Sequence, residues 1–117
     1  MRGNELKKQT KISNKELFYS LCKEYNLSIK LETDCVIHAI IPSKYVLGSF
    51  ILEYNKVTKS LFMPLNIHID KNKIMLFSVA NYSPKLFKIM CLRFLKLEKE
   101  LKEIEIQQRQ DRLQSDF

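Results

Sequence analysis

The sequence predicts an α+β fold: an N-terminal helix, a small antiparallel β-meander and a long C-terminal amphipathic helix. Three observations support this fold class. Apolar residues recur at helical spacing near the start of the chain, alternate with polar residues through the middle, and form a ridge at three- and four-residue spacing over the last third. The 117 residues suffice for one compact domain, which buries about two-thirds of the surface that its unfolded chain exposes.

The first helix is expected to follow a basic, flexible tail formed by residues 1–12. Ser13 and Glu16 have the S-x-x-E spacing of a capping box, in which the two side chains bond to free backbone N–H groups at a helix start. Asn26 is a residue type that commonly ends helices. The apolar residues between these signals lie on one helical face: Leu17, Phe18, Leu21, Cys22 and Tyr25.

Five segments in the middle of the chain have the composition of strands joined by short polar turns, which is typical of an antiparallel meander. They are residues 27–31, 35–41, 45–54, 61–69 and 74–79. Pro64 lies in the fourth segment and has no backbone N–H to donate to a neighbouring strand. We therefore expect this strand to lie at an edge of the sheet or to bend at the proline.

The last helix is predicted to begin at Ser83-Pro84, a capping residue followed by proline at the first helical position. Residues 86–97 are apolar nearly all round the helix, which predicts packing on more than one side. We expect a single α+β domain over residues 13–104 and a protruding helix end over residues 105–117. One ridge of apolar residues follows the helix: Leu86, Met90, Phe94, Leu97, Leu101 and Ile104.

The sequence carries no signature of an enzyme or of a cofactor-binding protein. Its only glycines are Gly3 and Gly48, whereas phosphate- and dinucleotide-binding loops require several glycines, and no G-x-S-x-G motif is present. Cys35 and His38 would point to opposite faces of a strand, so their spacing does not favour a metal site. We expect no catalytic residues, no metal and no cofactor.

The sequence also favours a cytoplasmic protein without a membrane partner. Its apolar runs are much shorter than the ~20 residues that a membrane-spanning helix requires, and no apolar stretch of a secretory signal follows the basic start. Its three cysteines are odd in number and scattered among apolar residues, a pattern typical of free thiols.

Our main hypothesis is a non-enzymatic protein–protein interaction module, such as a small adaptor, an assembly subunit or an inhibitor. Beyond residue 101 the last helix has few apolar anchors, and an isolated helix of this length is marginal in water. Docking onto another protein, or onto a second copy of the chain, would stabilise it. The candidate docking residues are Leu97, Leu101, Ile104 and Ile106.

The alternative hypothesis is a nucleic-acid-binding accessory protein. The net charge is +7, with 16 lysines and four arginines, and lysine contacts phosphates as a point charge. Lysines in the tail and along one face of the last helix would give salt-sensitive, sequence-independent binding. The candidate residues are Lys7, Lys8, Lys85, Lys88, Lys96 and Lys99.

Overall fold

The structure, a computed structural model, describes residues 12–46 and 49–115, apart from the side chain of residue 115. The predicted tail of residues 1–12 lies outside this range except for Ile12. The elements follow in the order α1 (Asn14–Glu24), β1 (Ser28–Glu32), β2 (Val36–Ile40), β3 (Leu52–Asn55), β4 (Ser60–Asp70), β5 (Lys73–Asn81) and α2 (Pro84–Ser115).

The five strands form one antiparallel sheet in which each strand pairs with its neighbours along the chain. Both helices contribute to a single hydrophobic core against this sheet. They meet where the ring of Tyr25, at the end of α1, packs edge-on against the ring of Phe87 near the start of α2. The predicted α+β arrangement of helix, meander and long helix is confirmed.

The predicted start and end of α1 are confirmed, with the Ser13 half of the capping box in place. The hydroxyl of Ser13 accepts a hydrogen bond of 3.1 Å from the backbone N–H of Glu16. At the other end, Asn26 adopts a left-handed backbone with φ 55°, a conformation that asparagine tolerates better than most residues. The backbone N–H of Leu27 then donates to the carbonyl of Cys22 over 2.8 Å, which satisfies one of the last free carbonyls of the helix.

The predicted strand over residues 45–54 is wrong for its first part. Among the described residues of this segment, only those from residue 52 onward belong to a strand, the four-residue β3. The connection from β2 to β3 instead reaches the far edge of the sheet, where the backbone N–H of Ile74 donates to the carbonyl of Tyr45 over 2.7 Å. Val46 forms an isolated parallel bridge with the same residue, so this part of the connection lies along the outer edge of β5.

Pro64 lies inside β4 at a point where the ladder to β3 has already ended. The last β3–β4 pair is Glu53 with Phe62, two residues before the proline. On the β5 side, Pro64 pairs with Val79. Ser78, the residue before Val79 in β5, has φ 65°, which interrupts the extended backbone of that strand. Although β4 is an internal strand, the proline therefore needs no N–H for the β3 ladder.

β1 forms the other edge of the sheet and is exposed along its whole length. Its pairing with β2 shifts by one residue between Ile29 and Leu31, so Lys30 is the extra residue of a β-bulge.

α2 begins as predicted. The hydroxyl of Ser83 accepts a hydrogen bond of 3.5 Å from the backbone N–H of Leu86, and the carbonyl of Ser83 accepts one of 2.8 Å from the backbone N–H of Phe87. The helix has 32 residues, a length of about 48 Å at 1.5 Å per residue. Residues 106–114 are all exposed, and the described molecule measures 76 × 32 × 20 Å. The far end of α2 is therefore outside the core that its first half helps to form. The side chains of α2 that are buried in this core are Phe87, Met90, Cys91, Phe94 and Leu101.

Candidate interaction surface

The first half of α2 packs on the sheet with one face only. The prediction that residues 86–97 are packed on more than one side is wrong for the described residues, because four large apolar side chains there are about half exposed. We call these four side chains the outer patch: Leu86 (45%), Ile89 (51%), Leu92 (59%) and Leu95 (52%). The sequence shows the apolar character of these positions but not which of them remain uncovered.

The four predicted docking residues separate into two groups. Leu101 is only 2% exposed and belongs to the core, so its side chain is not offered to a partner. Leu97 is half-buried and packs against the same core. Ile104 and Ile106 remain available, with exposed fractions of 42% and 54%.

One turn beyond the buried Leu101, α2 is fixed to the β2–β3 connection. The hydroxyl of Tyr45 donates a hydrogen bond to one carboxylate oxygen of Glu105, and the ammonium group of Lys44 lies 3.0 Å from the other. Arg109 also reaches the second oxygen at 2.9 Å, as its i,i+4 spacing predicts. We call the contact of Tyr45 and Lys44 with Glu105 the tether; it joins residues 60 and 61 positions apart.

The tether changes the acid–base properties of its members. The hydrogen bond from Tyr45, followed by that from Lys44, lowers the pKa of the Glu105 carboxyl group. The same hydrogen bond raises the pKa of the Tyr45 hydroxyl, because ionisation would remove the donated proton. The hydrogen bond to Glu105 likewise raises the pKa of Lys44. Each shift favours the protonation state in which the tether is intact at neutral pH.

A groove of about 450 Å³ lies between the first half of α2 and the β4–β5 hairpin. Its apolar walls include Leu86 and Ile89 of the outer patch, and Leu65 and Phe77 of the hairpin, which are 47% and 41% exposed. Arg93 supplies a positive charge at its rim. A second cavity, of about 340 Å³, lies beside the tether and is lined partly by the exposed Ile104. Both cavities are therefore bordered by apolar side chains of α2 that remain accessible.

The lysines proposed for nucleic-acid binding are placed on the solvent side of α2. Lys85, Lys88, Lys96 and Lys99 are all exposed, and none takes part in an ion pair with another residue that the structure describes. Lys7 and Lys8 of the predicted set lie outside the described residues.

The two histidines of the chain have aromatic or acidic neighbours. Nε2 of His38 lies 2.7 Å from a carboxylate oxygen of Glu53, and its ring stacks on Phe50. His68 packs edge-on against Phe77. Among residues 12–46 and 49–115 there is no group of three or more histidine, cysteine or acidic side chains that could hold a metal ion. The same part of the chain contains no helix long and apolar enough to cross a membrane.

Comparison with known proteins gives no match: no family model, no curated protein and no solved structure is significantly similar to this chain.

Proposed function

We propose that this chain is a non-enzymatic protein-interaction module that docks through the exposed side of α2. The outer patch is the observation that carries the proposal. Its four side chains belong to a helix that is already well packed on its opposite face, so the fold does not require them to be apolar. Contiguous apolar surface of this kind commonly marks an interaction site.

The free energy that a partner would gain by covering the outer patch is large enough to contribute to association. Full burial of one leucine or isoleucine side chain contributes about 1.5–3 kcal/mol. Each side chain of the outer patch is about half exposed, so a partner that covers all four would gain roughly half of that amount from each. Ile104 and Ile106 extend the apolar surface along the same helix.

The projecting end of α2 gives independent support for docking. Residues 106–114 are all exposed, and a helical segment of this length is marginal in water by itself. A partner that packs along α2 would stabilise this segment, which fits a small adaptor, an assembly subunit or an inhibitor.

The test is the double variant Ile89→Glu, Leu92→Glu, with the single variant Val57→Glu as a control. Val57 is 72% exposed in the β3–β4 turn, so its replacement introduces one glutamate at an exposed apolar position away from α2. We expect the double variant to keep its circular dichroism spectrum and to lose the complexes that the unaltered protein forms in size-exclusion chromatography, whether alone or in extract from its own cells. Val57→Glu should retain them. Complexes that persist in the double variant, or an unaltered protein that forms none, would contradict the proposal.

A second candidate function, nucleic-acid binding, is favoured by the four exposed and unpaired lysines of α2. Binding through them would be independent of sequence and would weaken steeply with salt, because each neutralised phosphate releases counterions. The double variant Lys88→Glu, Lys96→Glu should then bind a duplex of random sequence more weakly, with a smaller salt dependence. Equal binding by the variant and the unaltered protein would exclude this surface.

A further inference from the structure

One strip of exposed residues along α2 has its charges sorted by sign. We define the outer stripe as one strip of exposed residues along the flank of α2 that borders the groove: Lys85, Ile89, Leu92, Arg93, Lys96, Glu100, Glu103, Ile104, Gln107 and Asp111. The exposed Lys88 and Lys99 lie on the neighbouring strip of the helix. Every charge on the stripe before residue 98 is positive, and every charge after it is negative. The cationic half is also the half that carries the outer patch.

These charges have no ion-pair partners within the described part of the chain. The described ion pairs of α2 join Glu98 with Lys102, and Glu105 with Lys44 and Arg109, none of which belongs to the outer stripe. On the stripe itself, Asp111 accepts a hydrogen bond of 3.1 Å from the amide of Gln107. The acidic half of the stripe is therefore available to cations of another molecule.

The order of the charges is self-complementary when two copies of α2 run in opposite directions. If a two-fold axis passes beside residue 98, residues at equal distances before and after it face each other across the pair. Lys96 then faces Glu100, and Arg93 faces Glu103. In the same register Lys85 faces Asp111, and each of the three pairs occurs twice because of the two-fold symmetry.

The same register brings apolar residues together and covers the projecting helix end. Leu92 of one copy faces Ile104 of the other. Residues 106–111 of one copy lie along residues 85–90 of the other, next to the groove that Leu65 and Phe77 line. A parallel pair in the same register would instead place like charges against each other, which opposes association.

We propose that the occupant of the outer stripe is a second copy of this chain, bound through antiparallel pairing of the two α2 helices. This inference rests on the proposed function, because it names the partner that would bind the exposed side of α2. It assigns a role both to the sorted charges and to the projecting helix end.

The test is a charge exchange between two variants. The first variant carries Arg93→Glu and Lys96→Glu, and the second carries Glu100→Lys and Glu103→Lys. Each variant alone places like charges at the four central pairs, so we expect it to be monomeric by sedimentation equilibrium where the unaltered protein is a dimer. An equimolar mixture of the two variants restores opposite charges at every one of these pairs and should contain a one-to-one heterodimer.

A control variant with Lys15→Glu and Lys23→Glu changes the net charge as much as the first variant but on α1. It should remain dimeric. Register is checked by disulfide formation in a Cys35→Ser background, where a Leu92→Cys chain mixed with an Ile104→Cys chain should form the mixed disulfide in preference to either homodimeric one.

Two results would overturn the inference: an unaltered protein that stays monomeric at all attainable concentrations, or a dimer that both charge reversals leave intact. These results are distinguishable from failure of the proposed function. The unaltered protein could be monomeric and still bind a different protein, which the Ile89→Glu, Leu92→Glu variant no longer binds. In that case the proposed dimer is wrong and the proposed docking through α2 stands. If the unaltered protein binds neither a second copy nor another protein, both proposals fail.

Discussion

Leu101 and Ile104 lie three residues apart on the same predicted ridge, yet the structure gives them different surroundings. Leu101 is almost fully buried, whereas Ile104 is 42% exposed beside the cavity near the tether. Replacing a buried leucine by alanine removes transfer free energy and leaves a cavity, at a typical cost of about 2–5 kcal/mol.

We therefore expect Leu101→Ala to lower the free energy of unfolding by about 2–5 kcal/mol. Ile104→Ala, with its side chain nearly half exposed, should cost clearly less. Urea unfolding followed by circular dichroism measures both changes. Equal costs for the two variants would mean that Leu101 is not part of the core.

The three cysteines are free in the structure and differ in their accessibility. Burial raises the pKa of the Cys22 thiol to about 11 and that of Cys91 to about 12, so both are protonated near neutral pH. The thiolate is the reactive form, and Cys35 alone of the three is exposed.

An aromatic disulfide reagent at neutral pH should modify Cys35 first, with Cys22 and Cys91 reacting fully only after denaturation. Mass spectrometry of the intact protein and of its peptides identifies the sites. A Cys35→Ser variant provides the control, since it should show no fast phase. Rapid modification of Cys91 in the native protein would show that the first half of α2 separates readily from the sheet.

At the scale of elements, the tether decides where α2 stops being part of the domain. It acts on a single helix turn, and residues beyond it are exposed as far as the structure describes them. Because the folded-state pKa of Glu105 is lowered, the tether stabilises the fold above the ordinary pKa of 4.5 and loses this contribution as the pH falls through the lowered value. The raised pKa of Tyr45 has the opposite consequence, with loss at alkaline pH.

We expect Glu105→Gln to reduce the melting temperature at neutral pH, and the difference from the unaltered protein to disappear as the pH falls below about 4.5. Thermal unfolding across this pH range is the measurement, with Tyr45→Phe as a second variant that keeps the carboxylate and removes the hydroxyl donor. A constant difference across the whole pH range would show that the ionisation of Glu105 does not stabilise the fold.

The elements that the sequence predicted correctly are those specified by neighbouring residues. The Ser13 and Ser83 caps, the Asn26 helix end and the strand-forming composition of β4 and β5 each depend on a few consecutive positions. The two-residue period of β4 fails at Leu65, which is 47% exposed. The exposure of the candidate docking residues was less predictable, because Leu101 and Ile104 both follow the spacing of the apolar ridge. Leu101 is four residues before Glu105 and shares its helix face, which Tyr45 and Lys44, about 60 positions earlier in the chain, hold against the domain, whereas Ile104 lies off that face.

The predicted strand over residues 45–54 was wrong for a related reason. The aromatic and β-branched residues of this segment do fit a strand, and Val46 makes one bridge to β5. The chain nevertheless crosses to the far edge of the sheet before returning as β3, and no local composition specifies that path.

At the scale of the whole molecule, strands that pair in sequence order leave an open edge at β1. The bulge at Lys30 has a consequence for solubility there. An open edge strand exposes unpaired backbone groups that can recruit a strand from another molecule, and a bulge or a lysine in that strand hinders such growth. Here the bulged residue is itself the lysine, between Ile29 and Leu31, which are 46% and 45% exposed.

Lys30→Val would place three consecutive apolar residues along this edge, two of them β-branched. We expect the variant to form β-rich aggregates on mild heating, detected by the fluorescence of an amyloid-binding dye, whereas Lys23→Val on α1 should stay in solution. If both variants aggregate, general loss of charge governs precipitation, and if neither does, Lys30 does not protect the edge. If only Lys30→Val aggregates, a single lysine keeps an open sheet from growing into a fibril.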